Sequence, residues 1–314
     1  MSLQFRLYPL RFTFTAREPI HFPTGKSSNI LRGAFGVIFR RIACVPQCTN
    51  ARECEWRATC PYARLFEPSA TGTGPSGLAD WPRPFVFRAT HLDGRTVRQG
   101  EGFHFDLNLF DVQGPAVAYL VLAFAQLARE GLGPGRSRVE LTGVSQLNEN
   151  GEPSIAIFHG GSLLVQQGPP PLEVSLAPPG EAVNRLRVRF LTPTELKRGQ
   201  QIAERPEFCI LASRARDRLS TLRELYGEGM LEIDFRAFGE RAAQVRMTRC
   251  KIRQVEVVRR SSRTGQVHPI GGFVGAAEYE GELTEFVQYL RAAAWTGVGR
   301  QTVWGKGAVA VECL

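Results

Sequence analysis

Gly297-Val298-Gly299-Arg300-Gln301-Thr302-Val303-Trp304-Gly305-Lys306-Gly307 is the stretch on which the reading of this chain turns. Four glycines, two cations and one Trp fall within eleven residues. A run of helix formers precedes it, and a short apolar strand, Ala308 to Val311, comes after it. Glycine lets a backbone reach positive φ and approach a ligand closely. Successive N–H groups in such a turn form an anion-binding concavity, and Arg300 and Lys306 add charge to it. Two phosphate motifs fail here. A Walker A loop requires G-x-x-x-x-G-K-[ST], but Arg300 stands at the first Gly position and Gly307 replaces the Ser/Thr. The other candidate, Gly25-Lys26-Ser27, has Ile20 at the first position. A dinucleotide fingerprint follows a strand and opens a helix, and this loop does the reverse. A polymer backbone is therefore a better guest than a small nucleotide. The competing reading is a tight helix-to-strand turn that needs Gly for geometry alone.

Working outward, Leu283 to Ala294 reads as the helix before the loop. Val245 to Val258 is a long strand, joined through Ser261-Ser262-Arg263-Thr264-Gly265 to a partner strand at Gly271-Gly272-Phe273-Val274. Pro206 to Tyr226 is a helix with Ile210, Leu211, Leu219 and Leu222 inward, and Leu186 to Thr192 alternates as a strand. The first half has the same order. Leu3 to Thr15 alternates, with Pro9 marking a bulge or edge. Ser27 or Ser28 can cap a helix running to about Ala43, with Ile30, Leu31, Ala34, Phe35 and Ile38 on one face. Strands at Phe85 to Ala89 and Phe103 to Phe110, a helix at Pro115 to Glu130 and a strand at Val139 to Leu147 complete it. Each half reads β-α-β-β-α-β, so the expected fold is α+β with tandem ferredoxin-like domains. The expected boundaries are 1–180, carrying a Cys-rich insertion, and 181–314, carrying the Gly-rich loop. Pro169-Pro170-Pro171 and Pro178-Pro179-Gly180 bracket a linker. A Gly-rich, Arg-bearing turn falls between second helix and fourth strand in both halves, at 131–138 and 297–307. That recurrence strengthens the anion-binding reading of the second turn.

At 314 residues and 43% hydrophobic content the chain can bury a proper core. Its formal charge of +9 favours an acidic partner such as nucleic acid. Residues 1–180 carry a net +3 and residues 181–314 a net +6, so the excess lies in the half that holds the loop. The cations are almost all Arg, a planar fork suited to phosphate. Lys appears only as Lys26, Lys197, Lys251 and Lys306. The N-terminus lacks the features of a signal peptide. The longest apolar run, Ala116 to Ala125, is too short to span a bilayer. Seven Cys, an odd number, point to a reducing cytoplasm.

Several pieces together resemble the CRISPR pre-crRNA-processing endoribonucleases of the RAMP superfamily. They are Glu18-Pro19-Ile20-His21 leading into Leu31-Arg32-Gly33-Ala34-Phe35-Gly36, then Cys60-Pro61-Tyr62 with Leu65-Phe66-Glu67-Pro68. The remaining pieces are Phe190-Leu191-Thr192-Pro193, Arg259-Arg260-Ser261-Ser262-Arg263, Gly271-Gly272-Phe273-Val274-Gly275 and the Gly297–Gly307 loop. The resemblance implies two ferredoxin-like domains and a repeat-RNA substrate. It also implies cleavage without a metal cofactor, in which a ribose 2′-hydroxyl attacks the adjacent phosphate and leaves a 2′,3′-cyclic end. It implies acting residues near the first strand–helix junction and RNA on the Gly-rich loop.

Such cleavage needs a base for the 2′-OH, an acid for the leaving 5′ oxygen and cations for the extra charge on phosphorus. Of five His, His21 sits in the loop before the first helix, five residues from Lys26. His21 is the candidate general acid or base, and Lys26 the charge stabiliser. His268 is the rival, beyond the basic turn. His104 reads as a structural strand residue, and His91 and His159 as loop residues. No compact Asp/Glu cluster of the kind a two-metal nuclease uses is present in the sequence. Arg259, Arg260 and Arg263 suit phosphate contact along RNA, as do Gly297, Gly299, Arg300, Gly305, Lys306 and Gly307. Cys44, Cys48, Cys54 and Cys60 can complete a structural zinc site, with an iron–sulfur cluster or free thiols as alternatives. The expected protein is a cytoplasmic endoribonuclease that cuts CRISPR repeat RNA, with no membrane contact. CRISPR effector subunits are candidate partners, and a homodimer is compatible with this reading. The rivals are a non-catalytic RNA-binding RAMP subunit and a zinc-stapled scaffold.

Overall fold

The computed structural model describes residues 3–51, 53–68, 81–161, 169–260, 267–269 and 271–314. The chain divides into two units, Arg6–Leu172 and Met1–Phe5 with Glu173–Leu314.

The first unit runs β1 (Gln4–Ala16), β2 (Ile20–His21), α1 (Ser27–Ala43), α2 (Pro61–Phe66), β3 (Phe85–Arg88), β4 (Thr96–Val97), β5 (Gly102–Leu109), α3 (Val117–Glu130), β6 (Val139–Leu147) and β7 (Pro153–His159). Leu10, Phe12, Phe14 and Ala16 alternate into the core while Thr13 faces out, the period of two that a half-buried strand requires. β1 pairs antiparallel with β5 on one side and β6 on the other. The strand order β3-β5-β1-β6 is that of a ferredoxin-like sheet, with β7 added beyond β6. Aromatic rings fill the space under α1 and α3. Phe124 lies 4.6 Å from Phe12 and 4.8 Å from Phe35, the latter pair stacked. Burying one such ring contributes about 1.5–3 kcal/mol.

The second unit contains β8 (Leu172–Ser175), β9 (Arg185–Thr194), β10 (Lys197–Arg198), β11 (Gln201–Ile202), α4 (Phe208–Tyr226), α5 (Phe235–Ala242), β12 (Arg246–Val255), β13 (Val258–Arg260), β14 (Val267–Pro269), β15 (Gly272–Glu280), α6 (Val287–Thr296) and β16 (Val309–Cys313). Its sheet order is β12-β15-β9-β16. Counted within the motif, both sheets read second, third, first, fourth strand, so the duplication seen in the hydrophobic pattern is a duplication of topology. Leu186, Val188 and Phe190 of β9 are buried with Leu211, Leu219 and Leu222 of α4. The buried Tyr279 hydroxyl donates to Pro206 O at 2.6 Å, which satisfies a polar group that would otherwise be costly to bury.

Three local expectations change. The irregularity in β1 lies at Thr13/Phe14 in its pairing with β6, not at Pro9, which pairs in register with Asn108. The cap of α1 comes from neither Ser27 nor Ser28. Ser27 N–H and Oγ–H both donate to Asp93 Oδ1, at 3.0 and 2.5 Å, so a carboxylate distant in sequence closes the helix. α5, missed by periodicity, is capped locally by Asp234, which accepts from Arg236 N and Ala237 N. Among the described residues no helix is long and apolar enough to cross a membrane.

Candidate active site

Residues 17–26 carry the chain from β1 to α1, and Thr90–Glu101 braces them. Phe22 N–H donates to Arg95 O at 2.9 Å, and Gly94 N–H to Phe22 O at 2.7 Å. The two-stranded ribbon β2–β4 sets Ile20 opposite Val97 and His21 opposite Thr96. Ile20 and Phe22 are buried and His21 between them is exposed, as strand alternation dictates. His21 Nδ1 lies 2.9 Å from Thr96 Oγ1. A hydroxyl both donates and accepts, so Thr96 supports a bare Nε2 that acts as base or a protonated Nε2 that acts as acid.

Thr96 also lines a cavity of about 490 Å³, with Arg98, Gln99 and Glu101. Glu101 accepts from Arg98 N–H at 2.9 Å and pairs with Arg95. These contacts, the Arg98 N–H first, hold its carboxyl below the usual range. Lys26 is exposed at the start of α1. Because Asp93 occupies the Ser27 amide, the helix end itself offers less positive potential, and Lys26 supplies the positive charge there. Sequence reasoning named His21 and Lys26 as candidates and did not name Thr96 or Arg98. Nothing in the order of residues marks 96 as opposite 21.

The other His divide. His91 and His104 stack at 4.5 Å between ring centroids, with His91 Nε2 at 2.8 Å from His104 O. Burial, then Arg11 and His91, push the His104 imidazole below its usual value. His159 ends β7. His268 lies in β14 opposite Arg259, and Arg260 opposite Val267. The side chains of Arg259, Arg260 and His268, and all of Arg263, lie outside the described residues.

The two Gly-rich turns dock inward. In the first, Leu132 and Ser137 exchange backbone hydrogen bonds at 2.8 and 3.0 Å. Ser137 Oγ–H donates to Pro19 O at 2.6 Å, and Arg138 Nε to Glu18 Oε1 at 2.8 Å. A Cβ on Gly131, at φ +104°, would collide with Arg136 O. In the second, Val298 N–H donates to Gly307 O, Arg300 N–H to Glu195 O, Trp304 N–H to Gln301 O, Gly305 N–H to Thr302 O and Gly307 N–H to Pro193 O. A Cβ on Gly307, at φ +67°, would collide with Val298 O. Gly297 ends α6 and Gly299 lies against Glu195 O. Five amides of the expected cradle are thus engaged within the protein. Lys306, a candidate RNA contact, is 3% exposed. Arg300 is half exposed and pairs with Glu195 at 2.5 Å.

The β12-β15-β9 face turned away from the buried residues is basic, a feature the sequence reading missed. Register aligns Arg187–Glu278–Arg249 in one row and Arg189–Ala276–Lys251 in the next. In the first row Glu278 lies 2.9 Å from Arg187 and 3.6 Å from Arg249, which balances part of the charge. In the second, exposed Arg189 and Lys251 flank a small Ala276. Exposed Arg253 lies two residues beyond Lys251 on the same strand face. Such a strip can track a phosphate backbone.

Cys44 ends α1, Cys54 precedes the 3-10 turn Glu55–Ala58, and Cys60 precedes α2. Cys48 closes a turn on Val45 O at 3.0 Å. All four are half-buried free thiols.

Residues 188–309 match the family model described as CRISPR-associated endoribonuclease Cas6. Residues 5–170 match AF_1859_N, an N-terminal domain. A search of curated proteins finds no match. A Cas6 product complex superposes with a TM-score of 0.57 at 18% identity, over 99% of this chain and 100% of that one. A Thermus thermophilus Cas6 gives 0.54 at 15%, over 99% of each chain. A partial Cas6-RT-Cas1–Cas2 complex gives 0.58 at 12%, over 100% of this chain and 47% of that one. At these identities the likeness is one of fold. Residues 5–170, more than half of the chain, place it in the AF_1859_N family, the Cas6 endoribonuclease model spans most of the second unit, and the chain shares the fold of the solved Cas6 proteins.

Proposed function

We propose that this chain cuts CRISPR precursor RNA within its repeats, by attack of a ribose 2′-hydroxyl on the adjacent phosphate. The observation that carries the reading is His21, exposed, held at Nδ1 by Thr96 and set beside the cavity that Thr96 shares with Arg98. The match of residues 188–309 to the Cas6 endoribonuclease model supports endoribonuclease activity on repeat RNA.

In the reaction a proton leaves the 2′-OH, the 2′-oxygen–phosphorus bond forms and the phosphorus–5′-oxygen bond breaks. The leaving 5′-oxygen takes up a proton. The products are a 2′,3′-cyclic phosphate and a 5′-hydroxyl. His21 Nε2 moves one of the two protons, and Lys26 and Arg98 offset the charge that grows on the phosphoryl oxygens. This scheme assigns no step to a metal ion. The Arg189–Lys251–Arg253 strip holds the RNA backbone, joined by Arg300 and by Arg259, Arg260 and Arg263 of the β13–β14 segment. CRISPR-associated proteins are the proposed partners, as in the Cas6-RT-Cas1–Cas2 complex whose Cas6 portion shares this fold.

The test is end-group analysis of repeat RNA incubated with the protein in EDTA. The expected product carries a 3′ end that resists phosphatase until acid opens the cyclic phosphate. A 3′-hydroxyl product, or cleavage only on adding a divalent cation, overturns the scheme.

A further inference from the structure

Residues 44–60 are held in place by something other than a hydrophobic core. Among the described residues of this stretch, Ala51 alone is buried. Trp56 is 62% exposed and Val45 39% exposed. The half-buried side chains are the four cysteines and Arg57. A segment of this length that buries so little apolar surface needs a staple to stay ordered.

The four thiols stand next to one another. Cys44 has Cys48 and Cys60 beside it, and Cys48 has Cys54 beside it. The sulfurs thus run Cys60–Cys44–Cys48–Cys54, and three of them sit at the ends of separate helical segments. As they stand they form a chain, not a closed shell, and among the described residues no group of three or more His, Cys, Asp or Glu side chains is placed to hold a metal ion. Closing that chain about an ion requires side-chain rotation within a loop that has no packed core to resist it. Arg40, which donates to Thr49 O at 2.8 Å, brings a cation to Cys48 and ties the loop back to α1.

We infer that Cys44, Cys48, Cys54 and Cys60 bind one zinc ion as a closed four-thiolate structural site. Four thiols lose four protons as they take up the ion, and the resulting anionic centre lies beside Arg40. A closed site leaves no position for substrate, so its work is mechanical. It joins the end of α1 to the start of α2, where Tyr62 and Phe66 stack at 5.3 Å and Phe66 packs 5.2 Å from Phe35. The zinc holds α2 under α1 and has no part in the chemistry at His21.

The inference is independent of RNA cleavage, and so is its test. The full chain, purified under reducing conditions, is assayed for metal and titrated with a mercurial in the presence of a zinc indicator. Expected are one zinc per chain, its release on modifying four thiols, and no release from Cys209, Cys250 or Cys313. Stripped protein refilled with cobalt(II) should show thiolate-to-cobalt charge-transfer absorption and recover its Tm. Cys48→Ser/Cys54→Ser should lose the ion, whereas Cys209→Ser keeps it. If the double variant does not fold, the metal content and cobalt spectrum of the wild-type chain still decide. Zinc well below one equivalent with no cobalt spectrum, disulfides among these cysteines in the fresh protein, or an undiminished ion in the folded double variant each overturn the site.

Discussion

The two Gly-rich turns occupy equivalent places, and their difference is instructive. Each joins the second helix of its unit to the fourth strand, and each docks on the residues that leave the first strand. In the first unit Arg138 pairs with Glu18, two residues past β1. In the second Arg300 pairs with Glu195, one residue past β9. The three residues after the docked Glu are unlike: Pro19-Ile20-His21 in one unit, Leu196-Lys197-Arg198 in the other. The turn is therefore a shared structural latch, and the divergent chemistry lies in the segment it latches. Glycine serves the close approach of backbone to backbone, and the Arg300 and Gly307 amides donate to the Glu195 and Pro193 carbonyls.

The sharpest way to break this comparison is at His21. His21→Ala should slow single-turnover cleavage by about 100-fold or more, while RNA affinity changes little. Next come the latches. Gly307→Ala forces a Cβ into Val298 O and should destabilise the second unit by on the order of 2–3 kcal/mol, read as a lowered Tm. Gly131→Ala, facing Arg136 O, should cost the first unit a similar amount and disturb the approach to His21 as well. Arg189→Ala and Lys251→Ala should each reduce the salt slope of RNA binding by about one and weaken binding uniformly across sequences, with the chemical step unchanged. Thr96→Val removes the partner of His21 Nδ1. It should lower the rate by roughly tenfold or less, with an altered pH profile and little change in KM. The smallest effect concerns Glu18, whose carboxyl the Arg138 N–H holds below its ordinary value. A depressed carboxyl contributes stability above its unfolded pKa of 4.5 and loses it as pH falls through the folded value. Glu18→Gln should therefore lower Tm slightly at neutral pH, with the difference from the wild type disappearing as pH falls through the folded value.

The sequence made the fold readable because both signals that define it are local. Alternation in Leu186–Phe190 and helical spacing in Ile210–Leu222 carry strand and helix without reference to the rest of the chain, and their order repeats. The order also led to the tandem family. Pairings between distant residues were not readable. Asp93 on Ser27, Thr96 on His21, and Lys251 across from Arg189 all depend on register between segments far apart in sequence. The Gly297–Gly307 loop misled in one respect. Its composition suits a phosphate cradle as well as it suits a latch, and the hydrogen-bond partners at Pro193 and Glu195 distinguish the two. Short elements such as β2, β4 and α2 are too brief for periodicity to reveal.

The most direct test of the central claim is single-turnover cleavage of repeat RNA in EDTA by the wild-type chain and His21→Ala, with affinity measured in parallel. Cleavage by the wild type, lost by about 100-fold or more in a variant that still binds RNA, is the predicted result. A rate unchanged in His21→Ala would contradict it and move the chemistry away from the β2–β4 ribbon.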